Sequence, residues 1–522
     1  MGRLDGGRGG SDGAYDSTTA TAYDVDRNPD GHHPSHPSAR SHRSVELADT
    51  AIVGLAVITV GAVWVGSIGT AVFVAVLSVI AIEAVVPGRN SAVSATSGGA
   101  FLLVAVILAG VGAVRSDRAW DGLAPDQLGP FEGWARVVDD PQSYQAGTRI
   151  VFHIDDERFE TWSRGRSQQQ RVAEWRGGDW VFVNGDRTPL KPERARRVAS
   201  QHVVGAFELE WAGDVRVGGP VARASNRVRA TIERGSSVMP DPYGALFRGL
   251  VIGDDRDQPD DMIERFRTSG LSHLTAVSGQ NVSFLLAACG PILVRLRPRV
   301  RWTATVALIA WFVALTRFEP SILRAGAMAM LSATAFMTGR ERSPVRLLAV
   351  AVLALVLIDP LLVWSVGFWL SVGATGGVCA IGPVLARRFE YLGSLAVPLG
   401  ITLGAQIGVV VPSVLVFGRL PLMSVPANLL AVPVAGAVML YGLPASIVSG
   451  LVPVLAPLVM FPAYVGTKWV DMVARIGARV EPDPPWVWVG WIALIAVLAG
   501  VVAVSSRTGK NRPRHDDASA DR

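Results

Sequence analysis

The chain is almost without cysteine. Cys289 and Cys379 are its only two in 522 residues, and both lie inside apolar runs. No CxxC pair or Cys/His ligand spacing accompanies them, so neither a disulfide framework nor a structural zinc site is indicated. A Walker A pattern is missing too, which leaves no motif for nucleotide-driven work. The eight histidines contain no His-x-His-x-Asp-His cluster. Charge is also sparse, at 18% of residues, while 50% are hydrophobic and the mean hydropathy is +0.34. An ordinary soluble protein is less apolar than this, and the length suffices for a polytopic membrane bundle plus one soluble domain. The net charge of +5 is small for the length and carries no implication of nucleic-acid binding.

The most informative stretch opens the apolar run 272–294. A span of about 20 residues is nearly free of polar groups, yet this one holds His273, Thr275, Ser278, Gln280, Asn281 and Ser283. Polar groups at membrane depth need partners, so the spacing predicts a helix interrupted at Ser278-Gly279 that faces protein or a wet cavity. A half-helix starting near Asn281 would aim free N–H groups and a positive dipole end at an anion. Helix packing through small polar residues is the alternative for Ser278 and Ser283.

In chain order, residues 1–46 form a polar tail rich in Gly, Asp, Ser, His and Pro that cannot bury enough surface to fold. His32, His33 and His36 read as part of that flexible tail, not as a metal site. Residues 47–115 supply three spans, at 49–66, 68–87 and 97–115. The first has no A-x-A cleavage site and reads as a retained anchor. Arg40, Arg43 and Arg89 put the N-terminus in the cytoplasm by the positive-inside rule.

Residues 116–240 turn polar. Alternating β-formers at 131–138, 148–154, 158–162 and 180–184, set between Asp-Asp-Pro, Gln-Ala-Gly and Asn-Gly-Asp turns, predict a small extracytoplasmic β-domain, possibly of the OB type. Phe131, Trp134, Phe152, Trp162, Trp175, Trp180 and Phe182 could stack bases. Eighteen basic and eighteen acidic residues cancel, however, so core packing is the expected role for most of these aromatics. Arg223, Arg227, Arg229 and Arg234 recur at helical spacing and are read as a solvated helix face in preference to the alternative, a basic collar at a pore mouth. The acidic stretch 254–261 lacks the EF-hand spacing and is read as a helix start, with Asp257 as cap, Pro259 opening the turn and Gly270 stopping it.

Residues 241–505 complete twelve spans, at 272–294, 302–316, 321–338, 347–363, 365–385, 393–417, 422–445, 449–468 and 486–505, and return the 506–522 tail to the cytoplasm. Arg295 to Arg301, Arg340 to Arg346, Arg387, Arg388, Arg507 and Lys510 then all fall inside. Arg324 stands within an apolar run, where a charge faces the bundle interior and marks a pathway unless it snorkels to the interface. Gln406, Pro412, Asn428 and Pro433 interrupt two later runs. No paired carboxylates or nucleophile–base set lies in the spans, so no catalytic residue, metal or cofactor is expected and a membrane enzyme is disfavoured.

Gly253-Asp254, Gly270, His273-Leu274, Ala276-Val-Ser-Gly279 and Val282 together resemble the signature of the ComEC competence family, inner-membrane channels that admit one DNA strand in natural transformation. Pro320, Ser321, Arg324 and Ala325 look like its second motif, Ser371 in Gly367-Phe-Trp-Leu-Ser its third, and Gln406, Pro412, Asn428 and Pro433 its fourth. The chain departs from the family in having Asn281 for a second histidine and Trp369 for a glutamine. It also shows no C-terminal metallo-β-lactamase-like domain, so no nuclease activity of its own is expected. The resemblance implies passage of single-stranded DNA along His273, Ser278, Gln280, Asn281, Arg324, Gln406 and Asn428. It further implies a membrane-lipid setting, an outer DNA receptor and a cytoplasmic translocase. The rival reading is a transporter of a small anionic solute, which an arginine and a helix N-terminus would serve equally well.

Overall fold

The structure, a computed structural model, describes residues 39–67, 93–144, 147–275, 279–318, 320–337, 343–483 and 485–493, with single positions at 69, 76 and 496. Residues 1–48 and 49–522 form two compact units. Of the first, only helical backbone from Ala39 is described, so helix α1 (Ala39–Val65) begins ahead of the apolar run. The rest of the expected tail, nearly all of the second span, the tail 506–522 and most of the span at 486–505 lie outside the described residues. So do Ser278 and the tail histidines.

Helix α2 (Val93–Asp121) packs on α1 through small side chains. Ala105, Ala109 and Ala113 are buried against Ile58 and Ala62, and the Ser116 hydroxyl donates to the Val63 carbonyl at 2.8 Å. Close helix approach through small residues replaces the hydrophobic effect where lipid is the solvent.

The chain then folds into six strands: β1 (Gly129–Val137), β2 (Gln142–Tyr144), β3 (Gly147–Ile154), β4 (Glu157–Ser163), β5 (Trp180–Pro189) and β6 (Val203–Arg216). Their order is β1-β5-β6-β4-β3-β2, and β1 also pairs with β3, which closes the sheet on itself. All neighbours are antiparallel except β4 and β6. Helix α3 (Arg166–Ala173) bridges β4 to β5, and α4 (Pro192–Val198) bridges β5 to β6. Alternation puts Ala135, Val137, Phe152, Phe159, Val181, Val183 and Phe207 inside.

Strand β6 is absent from the sequence reading. Its outer half, from Glu208 on, carries charges and is largely exposed, and its register shifts twice against β5, so the period of two is broken. The aromatics divide differently from expectation as well. Phe152 and Trp175 fill the core and Phe131 packs on it, but Trp134, Trp162, Trp180 and Phe182 lie outside that core. Trp134 and Phe182 are directly paired across β1 and β5, their rings 5.5 Å apart.

Beyond the sheet the chain is helical: α5 (Pro220–Ser236), α6 (Tyr243–Ile252), α7 (Asp260–Thr268), the single turn α8 (Ser272–Thr275), α9 (Gly279–Leu293), α10 (Pro298–Leu315), α11 (Pro320–Met337), α12 (Pro344–Ile358), α13 (Val366–Gly376), α14 (Gly382–Arg388), α15 (Ala396–Phe417), α16 (Ser424–Leu451) and α17 (Ala456–Val480). Among the described residues four helical stretches are long and apolar enough to cross a membrane: Gly99–Asp121, Val366–Arg388, Glu390–Phe417 and Ser424–Leu451. Five shorter apolar helices accompany them: Asp49–Val65, Tyr243–Ile252, Gly279–Leu293, Ile322–Ala335 and Pro344–Ile358. Helix α16 passes through Pro433 and Pro444 without ending, so the expected break between 445 and 449 falls instead at Val452. Helix α6 is buried along almost its whole length.

Asp257 does not cap α7. Its carboxylate pairs with Arg248 at 2.5 Å, and Pro259 occupies the cap position with no side-chain bond. Gly270 does end the segment, with φ +74°. At its other end α16 receives an acidic cap from a distant helix: Glu481 accepts from the backbone N–H groups of Leu422 and Met423 at 2.8 and 2.7 Å.

Candidate functional site

The polar segment that opens the apolar run is helical on both sides of the expected break, in α8 (Ser272–Thr275) and α9 (Gly279–Leu293), and residues 276–278, where the interruption is expected, lie outside the described residues. Onto Gly279 comes Arg324 from α11, only 4% exposed. A Cβ built on Gly279 would stand 2.8 Å from Arg324 Nη2 and 3.0 Å from the Ala325 Cβ, so glycine at this position lets the guanidinium lie against the backbone of α9. Arg324 Nε donates to Ser371 Oγ of α13 at 2.7 Å, and Nη1 lies 3.3 Å from Met328 Sδ. Among the described residues no carboxylate pairs with it.

Among the described residues this buried guanidinium has no counter-ion, and in an apolar surround that favours an anionic group. Snorkelling is ruled out for Arg324 by its burial between α9 and α13. Gly279, Arg324 and Ser371, which come from three separate motifs, thus meet at one point.

Asn281 is buried two residues along from Gly279 and donates through Nδ2 to the Leu250 carbonyl of α6 at 3.4 Å. Beside it is an apolar cavity of about 10 Å³ lined by Val251, Phe284, Phe312 and Met439. Gln280 is half-buried, and His273 lies on the exposed side of α8. Asn428 donates to the Ser424 carbonyl at 2.7 Å, where Ser424 abuts Gly270, and its Oδ1 has no partner. Gln406 is half-buried on α15. The structure therefore unites Arg324 with Gly279 and Ser371, sets Asn281 beside them on α9, and records no contact of Gln406 or Asn428 with that group.

A second polar centre joins the β-domain to the helices. Asp254 of the Gly-Asp pair is held by Arg256 through two bonds of 2.7 and 2.6 Å and approached by Arg229 at 3.5 Å. Arg229 also pairs with Asp140, at the end of β1, at 2.8 Å and donates to the Leu315 carbonyl at 3.2 Å. Arg317 closes the set on Asp140 at 3.1 Å and on Asn226 at 2.6 Å. A cavity of about 50 Å³ lies among them.

Burial opposes ionisation of Asp140, but Arg229 and Arg317 outweigh it and hold the carboxyl well below the usual range. Asp254 is likewise lowered against its burial, by Arg256 and Arg229. Asp139 next door is raised by its burial. Arg317 and Phe318, at φ +60° and +59°, take left-handed backbone just ahead of α11.

This centre corrects the reading of α5. Arg223, Arg227 and Arg234 are exposed, but Arg229 shares the buried face with Ser225, Ile232 and Ser236. Its position at 225 plus four and 232 minus three was the available signal. Asp140 gave none, since Asp-Asp-Pro reads only as a turn. Among the described residues no group of three or more His, Cys, Asp or Glu side chains could hold a metal ion.

Comparison with known proteins adds an independent line. A family model described as competence protein matches residues 250–507. ComE operon protein 3 of Bacillus subtilis strain 168 is 28% identical over 202 residues, covering 38% of this chain and 25% of that protein. An uncharacterised protein of Escherichia coli strain K12, YcaI, is 28% identical over 222 residues, covering 38% of this chain and 28% of its own. The matches thus span about a quarter of the length of these curated relatives. No solved structure gives a significant match.

Proposed function

Because the chain belongs, through residues 250–507, to the competence protein family, we propose that it is a membrane channel that passes single-stranded DNA into the cytoplasm during DNA uptake. The observation that carries the proposal is Arg324, buried against Gly279 of α9 with no carboxylate partner among the described residues and bonded to Ser371. Weak, sequence-blind contact to phosphate is what a conduit needs, since a strand held tightly would not leave. The cavity of about 10 Å³ beside Asn281 is far too small for a strand, so passage requires α9 and α11 to part at Gly279 and Arg324.

On this reading the bundle crosses the membrane repeatedly with both termini in the cytoplasm, and membrane lipids surround it; the touch of Gly450 on Thr231 of α5 sets the α16–α17 connection on the side of the β-domain, which argues against counting α16 and α17 as two of the twelve expected crossings. The β-domain stands outside as an OB-type barrel, supported by a closed sheet whose one parallel pair is β4–β6 and whose α3 lies between β4 and β5. Its outward aromatic strip of Trp134, Phe182 and Trp211 is flanked along the strands by exposed Glu132, Glu208, Glu210 and Asp214. Arg216 over the Trp134 ring at 3.9 Å and exposed Arg136 offset these carboxylates, so the strip has no strong phosphate affinity of its own and a separate outer receptor presents the strand. With no nucleotide motif in the chain, a cytoplasmic translocase or an ion gradient drives the movement. The channel has no nuclease activity of its own; the purified chain should leave DNA intact in the presence of divalent metal.

The test is import of labelled DNA by cells that depend on this chain. Arg324→Ala should cut import about tenfold or more, the factor for losing a charge-assisted contact of ~1.5–3 kcal/mol, with the membrane level of protein unchanged. Arg324→Lys should retain part of it, keeping the charge but not the planar fork. Unaltered import in Arg324→Ala would remove this residue from the path. Normal DNA import in a strain without the chain would instead leave the small-anion transporter standing.

A further inference from the structure

Residues 420–467 contain no charged side chain, and this charge-free stretch includes the whole connection between α16 and α17. The connection is also the most exposed apolar feature described. Val454 is 89% exposed and Leu451 68%, and the same surface continues onto α17 through Leu458 and Phe461. A helix–helix connection in water carries polar residues that satisfy its backbone; this one carries Leu, Val and Pro.

Its backbone needs little water. The Val452 N–H donates to the Val448 carbonyl and the Leu455 N–H to the Val452 carbonyl, at 2.8 and 3.1 Å. Pro453 and Pro457 have no N–H to satisfy. Few donors are thus left over, as a turn in contact with hydrocarbon requires.

A basic helix lies beside this turn. A Cβ on Gly450 would overlap the Thr231 carbonyl of α5, so the two backbones touch there. Arg234 donates from Nη2 to Thr231 Oγ1 at 3.2 Å and is exposed. The nearest acid in sequence, Glu233, is turned away onto Arg176 at 2.9 Å.

We propose that the 451–455 connection and Arg234 together form a seat on the phospholipid bilayer, with Leu451, Val454 and Leu455 in the acyl region and the guanidinium on a headgroup phosphate. Aliphatic prongs beside an exposed, acid-free arginine are the chemistry of a lipid interface, where the apolar side chains leave water and the cation gains an anionic partner. The seat fixes α5, and with it Arg229 of the polar centre, to the membrane surface. It is independent of whether DNA is the cargo.

The test uses the full chain in lipid nanodiscs, with Cys289 and Cys379 replaced by serine and a nitroxide attached at Val454→Cys. A second sample carries the label at Ser237→Cys, an exposed polar position at the end of α5. At 454 the spin label should collide with oxygen and be shielded from a water-soluble nickel chelate, while at 237 the chelate should dominate. In parallel, Arg234→Gln should lower the retention of phosphatidylglycerol relative to phosphatidylcholine about fivefold, the factor carried by one basic side chain at an anionic surface. Chelate access at 454 equal to that at 237 would overturn the acyl contact, and unchanged lipid retention in Arg234→Gln would overturn the headgroup contact.

Discussion

At the scale of single residues, the account turns on glycine and arginine at one contact. Gly279→Ala places a methyl 2.8 Å from Arg324 Nη2 and 3.0 Å from Ala325, so it should push α11 off α9 at this contact and depress DNA import. Gly290→Ala on the same helix meets nothing within 4 Å and should import normally. Arg324 was legible because a charge in an apolar run is conspicuous in any sequence. Its partner Ser371 was visible only through the family resemblance, since a lone serine in a span has many explanations.

Asp254 makes a different prediction. Asp254→Asn leaves Arg229 and Arg256 short of a buried counter-charge and should cost about 3–5 kcal/mol, read as a lowered midpoint of thermal unfolding. The same centre sets a pH response. Asp140 and Asp254 have folded-state pKa values below their ordinary ones, so their contribution is complete above the unfolded carboxylate value near pH ~4 and is lost as pH falls below it. Hydrogen exchange at the β-domain junction should therefore be unchanged from pH 7 to about 5, after correction for the intrinsic rate, and rise at lower pH. Asp139, raised by burial, acts with the opposite sign and weakens the junction as pH rises through its own value.

At the scale of elements, α13 and α14 pack on α15 through glycines. A Cβ on Gly373 would overlap the Gly408 carbonyl, one on Gly377 the Gly404 carbonyl, and Gly400 lies against Ala386. A single π turn, Gly377–Ile381, falls at this seam and separates α13 from α14. Gly404→Leu should therefore prise the helices apart and lower the amount of folded protein extracted in mild detergent, while Gly418→Leu, outside the seam, can strain only its own turn. The signal was in the sequence as Gly400, Gly404 and Gly408 at four-residue spacing, the pattern of close helix contact in membranes.

Trp369, a departure from the family pattern, also finds its explanation at this scale. Its Nε1 donates to the Val363 carbonyl at 2.6 Å, and its ring lies 6.3 Å from Trp64, which stacks on Trp364 at 4.8 Å. Trp120 completes the cluster against Trp364. A side chain that helps tie α1 to the helical domain is a packing device, and no local pattern could assign it, because its ring partner Trp64 is some 300 residues away in the chain.

For the whole molecule, sequence patterning was sufficient to separate a polar β-domain from apolar helices, while the break expected at Ser278-Gly279 falls on a position outside the described residues. It was insufficient where long-range charge pairing decides the structure. The junction of Asp140, Arg229, Asp254, Arg256 and Arg317 draws on β1, α5, the α6–α7 connection and the residues after α10, none of them conspicuous alone. It anchors Arg317, seven residues ahead of Arg324 in the chain, to Asp140 and Asn226. The central claim is that a polyanion passes the point where Gly279, Arg324 and Ser371 meet. A DNA strand carrying a photoactivatable base, stalled in transit by a bulky end group and crosslinked in cells, tests it directly. Crosslinks mapping to peptides from α9, α11 or α13 are the predicted result; crosslinks confined to the β-domain, or none in the helices, would contradict it.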